Sequence, residues 1–184
     1  RDSSQLDKEA LKRGNSVYLI DQGIPMLPKI LSNGICSLSE KVDRLTLSVN
    51  MEIDEKGKVV NHEIYESVIH SKARMVYGDV SDMLENNDSA LIEKYKEIYP
   101  DILRMDELAK ILRRSRDERG SLDFDFDEAY ITLNEQGIPT SVDIAERRVA
   151  NRIVEEFMLI ANETVAEHFF WMEIPFVYRV HETP

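Results

Sequence analysis

A chain of 184 residues, 42% of them hydrophobic, is the size of one domain and can bury about 70% of its unfolded surface. Its 23 basic and 35 acidic residues give a net charge of −12, which argues against tight binding of nucleic acid, because that affinity comes largely from neutralising phosphates. The single cysteine, Cys36, excludes an internal disulfide and a cysteine-rich metal site; no apolar run approaches the ~20 residues that cross a bilayer; and the polar start RDSSQLDKEALKRG does not read as a secretion signal, so the expected compartment is cytoplasmic.

From the N-terminus, Ser3 or Ser4 can cap a short helix through Arg13, with Gly14 as its stop. Residues 15–43 follow no clean period and are punctuated by Gly23, Pro25, Pro28 and Gly34, which predicts an ordered loop crossing the surface. Leu45, Leu47, Val49, Met51 and Ile53 alternate with polar residues as in a half-buried strand; 54–57 supplies a turn and 58–69 the returning strand. A helical region begins at 80–84. Leu91, Tyr95 and Ile98, then 103–112, predict two more helical stretches, broken near Pro100 and ended by Gly120. Leu122, Phe124 and Phe126 alternate with Asp123, Asp125 and Asp127 on a strand that continues through 130–133, followed by a turn at 134–137. After Ile144 comes a long helix, about 146–171, with Val149, Ile153, Phe157, Ile160 and Val165 as its buried stripe. Pro175 ends it, and 176–180 reads as a final strand. The expected fold is α+β: an antiparallel or mixed sheet with several helices, including one long buried helix near the C-terminus. One domain fills 1–184, without a linker, internal repeat or low-complexity segment.

No generic catalytic signature is present: no Walker loop, GxGxxG, HExxH or GxSxG, and no Cys/His zinc spacing. Asp123, Asp125 and Asp127 open like a calcium loop. Glu128 then occupies the glycine position and Asn134 the closing glutamate position, so the three read as a solvated strand face with carboxylates ~6–7 Å apart. By pattern alone, Phe124 is a core residue beside Leu122 and Phe126. Tyr18, in NSVYLI, lies in an irregular segment of the kind that often carries function. Tyr77 follows SKARMV and starts a helix. Glu155, in RIVEEF, reads by pattern as an exposed partner of Arg152 or Arg148, and pattern does not separate it from Glu156. Arg148 and Arg152 share its helix face, as phosphate contacts or, by the stronger reading, as surface salt bridges; Lys72 and Arg74 alternate on a strand end and carry the same two readings. Cys36 is expected to be a buried apolar residue. His181 is given no role.

Three segments carry more than local pattern: GNSVYLIDQGIPMLPKILSNGICSLSEKVDRL at 14–45, SKARMVYGDV at 71–80 and RRVANRIVEEFMLIANETVAEH at 147–168. In this order and spacing they resemble the catalytic (RNB) domain of the ribonuclease R and ribonuclease II exoribonucleases, and the resemblance extends over nearly the whole chain. It implies that Tyr18 packs against the terminal nucleotide near the cleavage site and helps set where digestion stops. It implies that Phe124 stacks on a base of bound RNA, a grip indifferent to sequence because every base has a π-face. It implies that Tyr77 and Glu155 flank a ribose, where a phenol and a carboxylate can hydrogen-bond the 2′-hydroxyl and so choose RNA over DNA. The family's metal-binding cluster of closely spaced aspartates precedes the 14–45 segment, and its active-site arginine follows the region where this sequence stops. The chain, which starts without Met, is therefore expected to be an interior piece of such a domain, with no complete catalytic set and no metal site.

The function this resemblance implies belongs to the parent enzyme: processive 3′-to-5′ hydrolysis of single-stranded RNA to nucleoside monophosphates with Mg²⁺ as cofactor. The 184 residues are expected to supply RNA-guiding side chains, to bind no metal alone, to be inactive alone, to hold single-stranded RNA weakly, to stay off membranes and to be monomeric. The alternative is a non-catalytic RNA-binding or protein-interaction module derived from the nuclease fold.

Overall fold

The computed structural model describes residues 2–123 and 128–180. These group into two compact units.

The first unit contains 2–46, 68–74 and 128–145. Helix α1 (Gln5–Arg13) starts where the Ser4 hydroxyl accepts from the Asp7 backbone N–H at 3.2 Å, and it stops at Gly14, whose φ of 74° suits a residue without a Cβ. The expected loop after it holds more regular structure than its Gly/Pro punctuation suggested. A two-residue ribbon pairs β1 (Val17–Tyr18) with β2 (Gly23–Ile24), and one π-helical turn covers Ile30–Ile35. Cys36 follows that turn and is exposed, against the expectation of burial. The cause is general to this unit: none of its described residues is buried. Strands β5 (Glu128–Leu133) and β6 (Pro139–Ala145) form an antiparallel hairpin, bulged after Thr132, where the Thr140 hydroxyl donates to the Thr132 carbonyl at 3.1 Å.

A second hairpin pairs β3 (Asp43–Ile53) with β4 (Val59–His70). Its turn and that of the β5–β6 hairpin use the same chemistry. The Asp54 carboxylate accepts from the Lys56 and Lys58 N–H groups, both at 2.9 Å, and the Asn134 side-chain carbonyl accepts from Gln136 and Ile138 at 3.0 and 2.9 Å. The burial alternation on β3 slips by one residue at Ser48–Val49. Val49, Met51 and Ile53 are half-buried as expected, whereas Leu45 and Leu47 lie on the opposite, exposed face.

The second unit contains 47–67, 75–123 and 146–180, with helices α2 (Tyr77–Glu85), α3 (Ser89–Lys94), α4 (Tyr99–Glu118) and α5 (Val149–Trp171). Pro100 opens α4 instead of breaking a helix, because a first-turn residue needs no N–H partner. The core lies where α2 and α4 pack on α5: Met83, Ile102, Ala109, Leu112, Ala150 and Ile153 are buried. The buried line of α5 is Ala150, Ile153, Glu156 and Thr164; Val149, Phe157, Ile160 and Val165 are half-buried, so the observed face is turned from the expected stripe. Two helices share this face, and small or polar residues let them approach. At the start of α5, α2 supplies the missing acceptors: Glu85 takes the Val149 N–H at 3.0 Å and the Ser81 hydroxyl the Ala150 N–H at 3.3 Å. At the far end, 174–180 forms no strand and packs instead through its aromatic side chains. Phe176 stacks on Phe169 with centroids 4.7 Å apart, and Tyr178 packs edge-on against Phe170 and Phe176.

Candidate nucleic-acid interface

The first of the expected site residues, Tyr18, lies on β1 opposite Gly23. A Cβ at Gly23 would sit 3.4 Å from the tyrosine ring, so the glycine leaves just enough room for the ring to cross the ribbon. The turn closes with the Leu19 N–H on the Gln22 carbonyl at 2.8 Å. The ring is 83% exposed, a flat apolar surface offered to solvent.

In the second unit, Tyr77 is the first residue of α2 and half in solvent. It lines an almost wholly apolar cavity of about 260 Å³ with Met75, Ile102, Met105, Ile153 and Val154. Tyr77 thus meets the same stretch of α5 that carries Glu155, but no hydrogen bond joins the two among the described residues. Phe124 lies outside the described residues, as do Phe126, Asp125, Asp127 and His181.

Glu155 is the centre of an ionic network that sequence patterning did not reveal. Its Oε2 accepts from Arg147 Nη2 at 2.5 Å, and its Oε1 lies 3.7 Å from Arg116 Nη2. Arg147 Nη1 also donates to Asp123 at 2.9 Å, and Arg113 Nη2 donates to the other Asp123 oxygen at 2.8 Å. Arg116 forks onto Glu156 through Nη2 at 2.6 Å and Nε at 3.2 Å, and its Nη1 donates to Ser121 at 2.7 Å. Sequence alone left Glu155 and Glu156 equivalent, and the geometry separates them. The Glu156 side chain is 5% exposed, inside the α4–α5 packing, while the Glu155 side chain is 36% exposed.

Asp123 is exposed, as its alternation with Leu122 and Phe124 suggested, but it lies in no strand and pairs with two arginines. It follows the end of α4, where Gly120 at φ 89° turns the chain back between Arg113 and Arg147. Hydrogen bonds from Arg147 and then Arg113 hold its carboxyl at about 2, well below the usual range. Asp123, followed by Glu155, stabilises the charged form of Arg147 and raises its pKa.

Arg148 forms the surface salt bridges its spacing suggested, although to α2 and not to its own helix. It reaches Asp82 and Glu85, both at 2.7 Å, and lowers the pKa of each carboxyl. Lys72 and Arg74 follow the end of β4 in no strand, and the Arg74 backbone N–H bonds Glu40 at 2.8 Å. The residues missed by sequence reasoning are Arg113, Arg116 and Arg147. The one signal in the sequence was the paired arginines that open the 147–168 segment.

Among the described residues, no group of three or more His, Cys, Asp or Glu is placed to hold a metal ion. Both Asp123 oxygens and Glu155 Oε2 already face guanidinium groups, so these carboxylates do not fit a metal site. No helix among them is long and apolar enough to cross a membrane.

Fold and site define an α+β domain segment that presents exposed tyrosines and a carboxylate ordered by arginines. The RNB domain profile matches residues 1–184. The chain is 51% identical over 185 aligned residues to Ribonuclease R of Thermotoga maritima and 48% identical over 183 to Ribonuclease R 1 of Lactococcus lactis, covering all of this chain and 26% and 22% of those proteins. Its fold matches Mycoplasma genitalium RNase R, solved in complex with ribose-methylated single-stranded RNA, at a TM-score of 0.86 and 29% identity, over 100% of this chain and 28% of that one. The chain belongs to the RNB domain family, and it spans about a quarter of the length of the curated relatives it matches.

Proposed function

We propose that these residues are the RNA-guiding part of a 3′-to-5′ exoribonuclease that hydrolyses single-stranded RNA processively to nucleoside monophosphates. The observation that carries this reading is the likeness over the whole chain to ribonuclease R proteins, one of them with single-stranded RNA bound. The residue chemistry supports it. Tyr18 offers an exposed ring to the terminal nucleotide, and the family resemblance assigns Phe124 to stacking on an upstream base. Tyr77 and Glu155 offer a phenol and a carboxylate to a ribose hydroxyl, which both donates and accepts.

Phosphodiester hydrolysis of this kind uses Mg²⁺, which would activate water and steady the leaving oxygen. The described carboxylates do not fit that metal; the family resemblance assigns its ligands, and the arginine that stabilises phosphate charge, to other parts of the parent. This chain binds, orients and selects. The net charge of −12 makes its own grip on RNA weak. The parent works as a cytoplasmic monomer.

The test is a gel assay on 5′-labelled single-stranded RNA with Mg²⁺ or Mn²⁺. An enzyme of full family length containing this segment should shorten the RNA, and the 184-residue chain should not. A metal-dependent ladder from the repurified chain would sink the division of labour. A full-length protein that binds RNA and never cuts it would favour the non-catalytic module instead.

A further inference from the structure

The Glu155 carboxylate has two unequal oxygens. Oε2 is held by Arg147, while Oε1 has Arg116 only at 3.7 Å and receives no hydrogen bond among the described residues. Arg147 is itself held, because its other terminal nitrogen bonds Asp123, which Arg113 bonds in turn from α4. One guanidinium therefore spans two carboxylates, one on the loop that follows α4 and one on α5. A lysine ammonium has no planar fork with which to do this.

We propose that Arg147, braced by Asp123, is a positioning residue that anchors one oxygen of Glu155 and leaves the other presented to the 2′-hydroxyl of an RNA ribose. The inference rests on the reading of Glu155 as a ribose contact. Two physical effects follow from the same pair. Anchoring removes rotamers of a half-exposed side chain before RNA arrives, so less ordering is left for binding. Neutralising the carboxylate lets a polyanion approach it without like-charge repulsion. The depressed Asp123 carboxyl agrees with a brace that stays ionised throughout the working pH range.

The experiment measures dissociation constants for matched single-stranded RNA and DNA oligomers in an enzyme of full family length containing this segment. Glu155→Ala should narrow the RNA-over-DNA preference by roughly tenfold, the usual worth of a hydrogen bond to a charged group. Arg147→Ala should narrow it comparably, and the double variant no further, because both changes remove one unit. Asp123→Asn leaves Arg147 an uncharged partner and should narrow the preference less. Equal weakening of RNA and DNA by Arg147→Ala, with the ratio intact, would make Arg147 an ordinary phosphate or packing residue and overturn the proposal. A ratio moved by Glu155→Ala but not by Arg147→Ala overturns this inference and leaves the ribose reading standing. A ratio unmoved by Glu155→Ala removes the ribose reading, and this inference with it. If Arg147→Ala does not fold, Arg147→Lys decides: narrowing supports the brace, and an unchanged ratio overturns it.

Discussion

The two units solve the folding problem differently. Every buried residue among those described lies in the second unit, on the hairpin tip, α2, α4 and α5; the first unit has none. Its apolar side chains, Tyr18, Ile20, Ile30, Leu45, Val142 and Ile144 among them, stay exposed. The first unit is therefore held by local devices: a helix cap, an Asx turn and short ribbons. The second has a core to set side chains against, and Glu155, the carboxylate that carries the proposed selectivity, sits there. A selective contact needs a rigid support, and a ring that only stacks tolerates a loose one.

The largest test of this contrast is Arg116→Ala. It leaves the Glu156 carboxylate inside the α4–α5 packing without its fork, with Arg113 Nη1 still 3.9 Å away. The cost therefore approaches but does not exceed the about 3–5 kcal/mol of a fully broken buried pair. Chemical denaturation should show that loss. A cost near zero would mean that water reaches Glu156 and that the core is looser than described.

Two glycines compare the units directly. Gly57 and Gly137 close equivalent turns, at φ 77° and 75°. A Cβ at Gly57 would stand 2.9 Å from Ser115 Cβ on α4, whereas one at Gly137 would meet nothing within 4 Å. Gly137→Ala should cost only the backbone strain, about 1–2 kcal/mol. Gly57→Ala should cost measurably more, because the hairpin tip must also move off α4. Equal melting temperatures for the two variants would show that the tip is not seated there.

The next effect is in acid. The Asp123 carboxyl is held at about 2 when folded, below its value of about 3.9 in an unfolded chain. A depressed folded pKa contributes stability that is complete above the unfolded value and is lost as pH falls through the folded one. Wild-type protein should therefore lose stability between about pH 4 and pH 2 more steeply than Asp123→Asn. Parallel profiles would remove Asp123 from the network.

The smallest stability effect belongs to the first unit. Tyr18→Ala removes a ring 83% in solvent and should change stability by no more than about 0.5 kcal/mol. In a full-length enzyme it should instead change the length of the final undigested RNA. Marked destabilisation would assign the ring to packing.

What was legible in the sequence follows the same line. The Ser4 cap, the Gly14 stop and the two Asx turns depend on residues a few positions apart, and local spacing predicted a cap at Ser3 or Ser4, the stop at Gly14 and a turn at each of the two places. The final strand was misread because Phe176 and Tyr178 alternate as strand residues do, while their true partners are aromatics on α5. The ionic network was invisible for the same reason. Arg147 meets Glu155 from 8 positions away and Asp123 from 24, and Arg116 meets Glu156 from 40. The packing of α4 beside α5 makes the Arg116–Glu156 separation short, and the turn after α4 brings Asp123 to Arg147 at the start of α5. Tyr18, Tyr77, Phe124 and Glu155 were singled out by family resemblance. Burial then added what resemblance did not, a physical distinction between Glu155 and Glu156.

The central claim is that this segment reads a ribose through Glu155. The direct measurement walks a single 2′-deoxynucleotide along a short RNA and records affinity for a full-length enzyme containing the segment. The account predicts a penalty concentrated at one position, which disappears in Glu155→Ala while affinity for all-DNA oligomers stays unchanged. A flat profile in the wild type, or a penalty that survives Glu155→Ala, would contradict it.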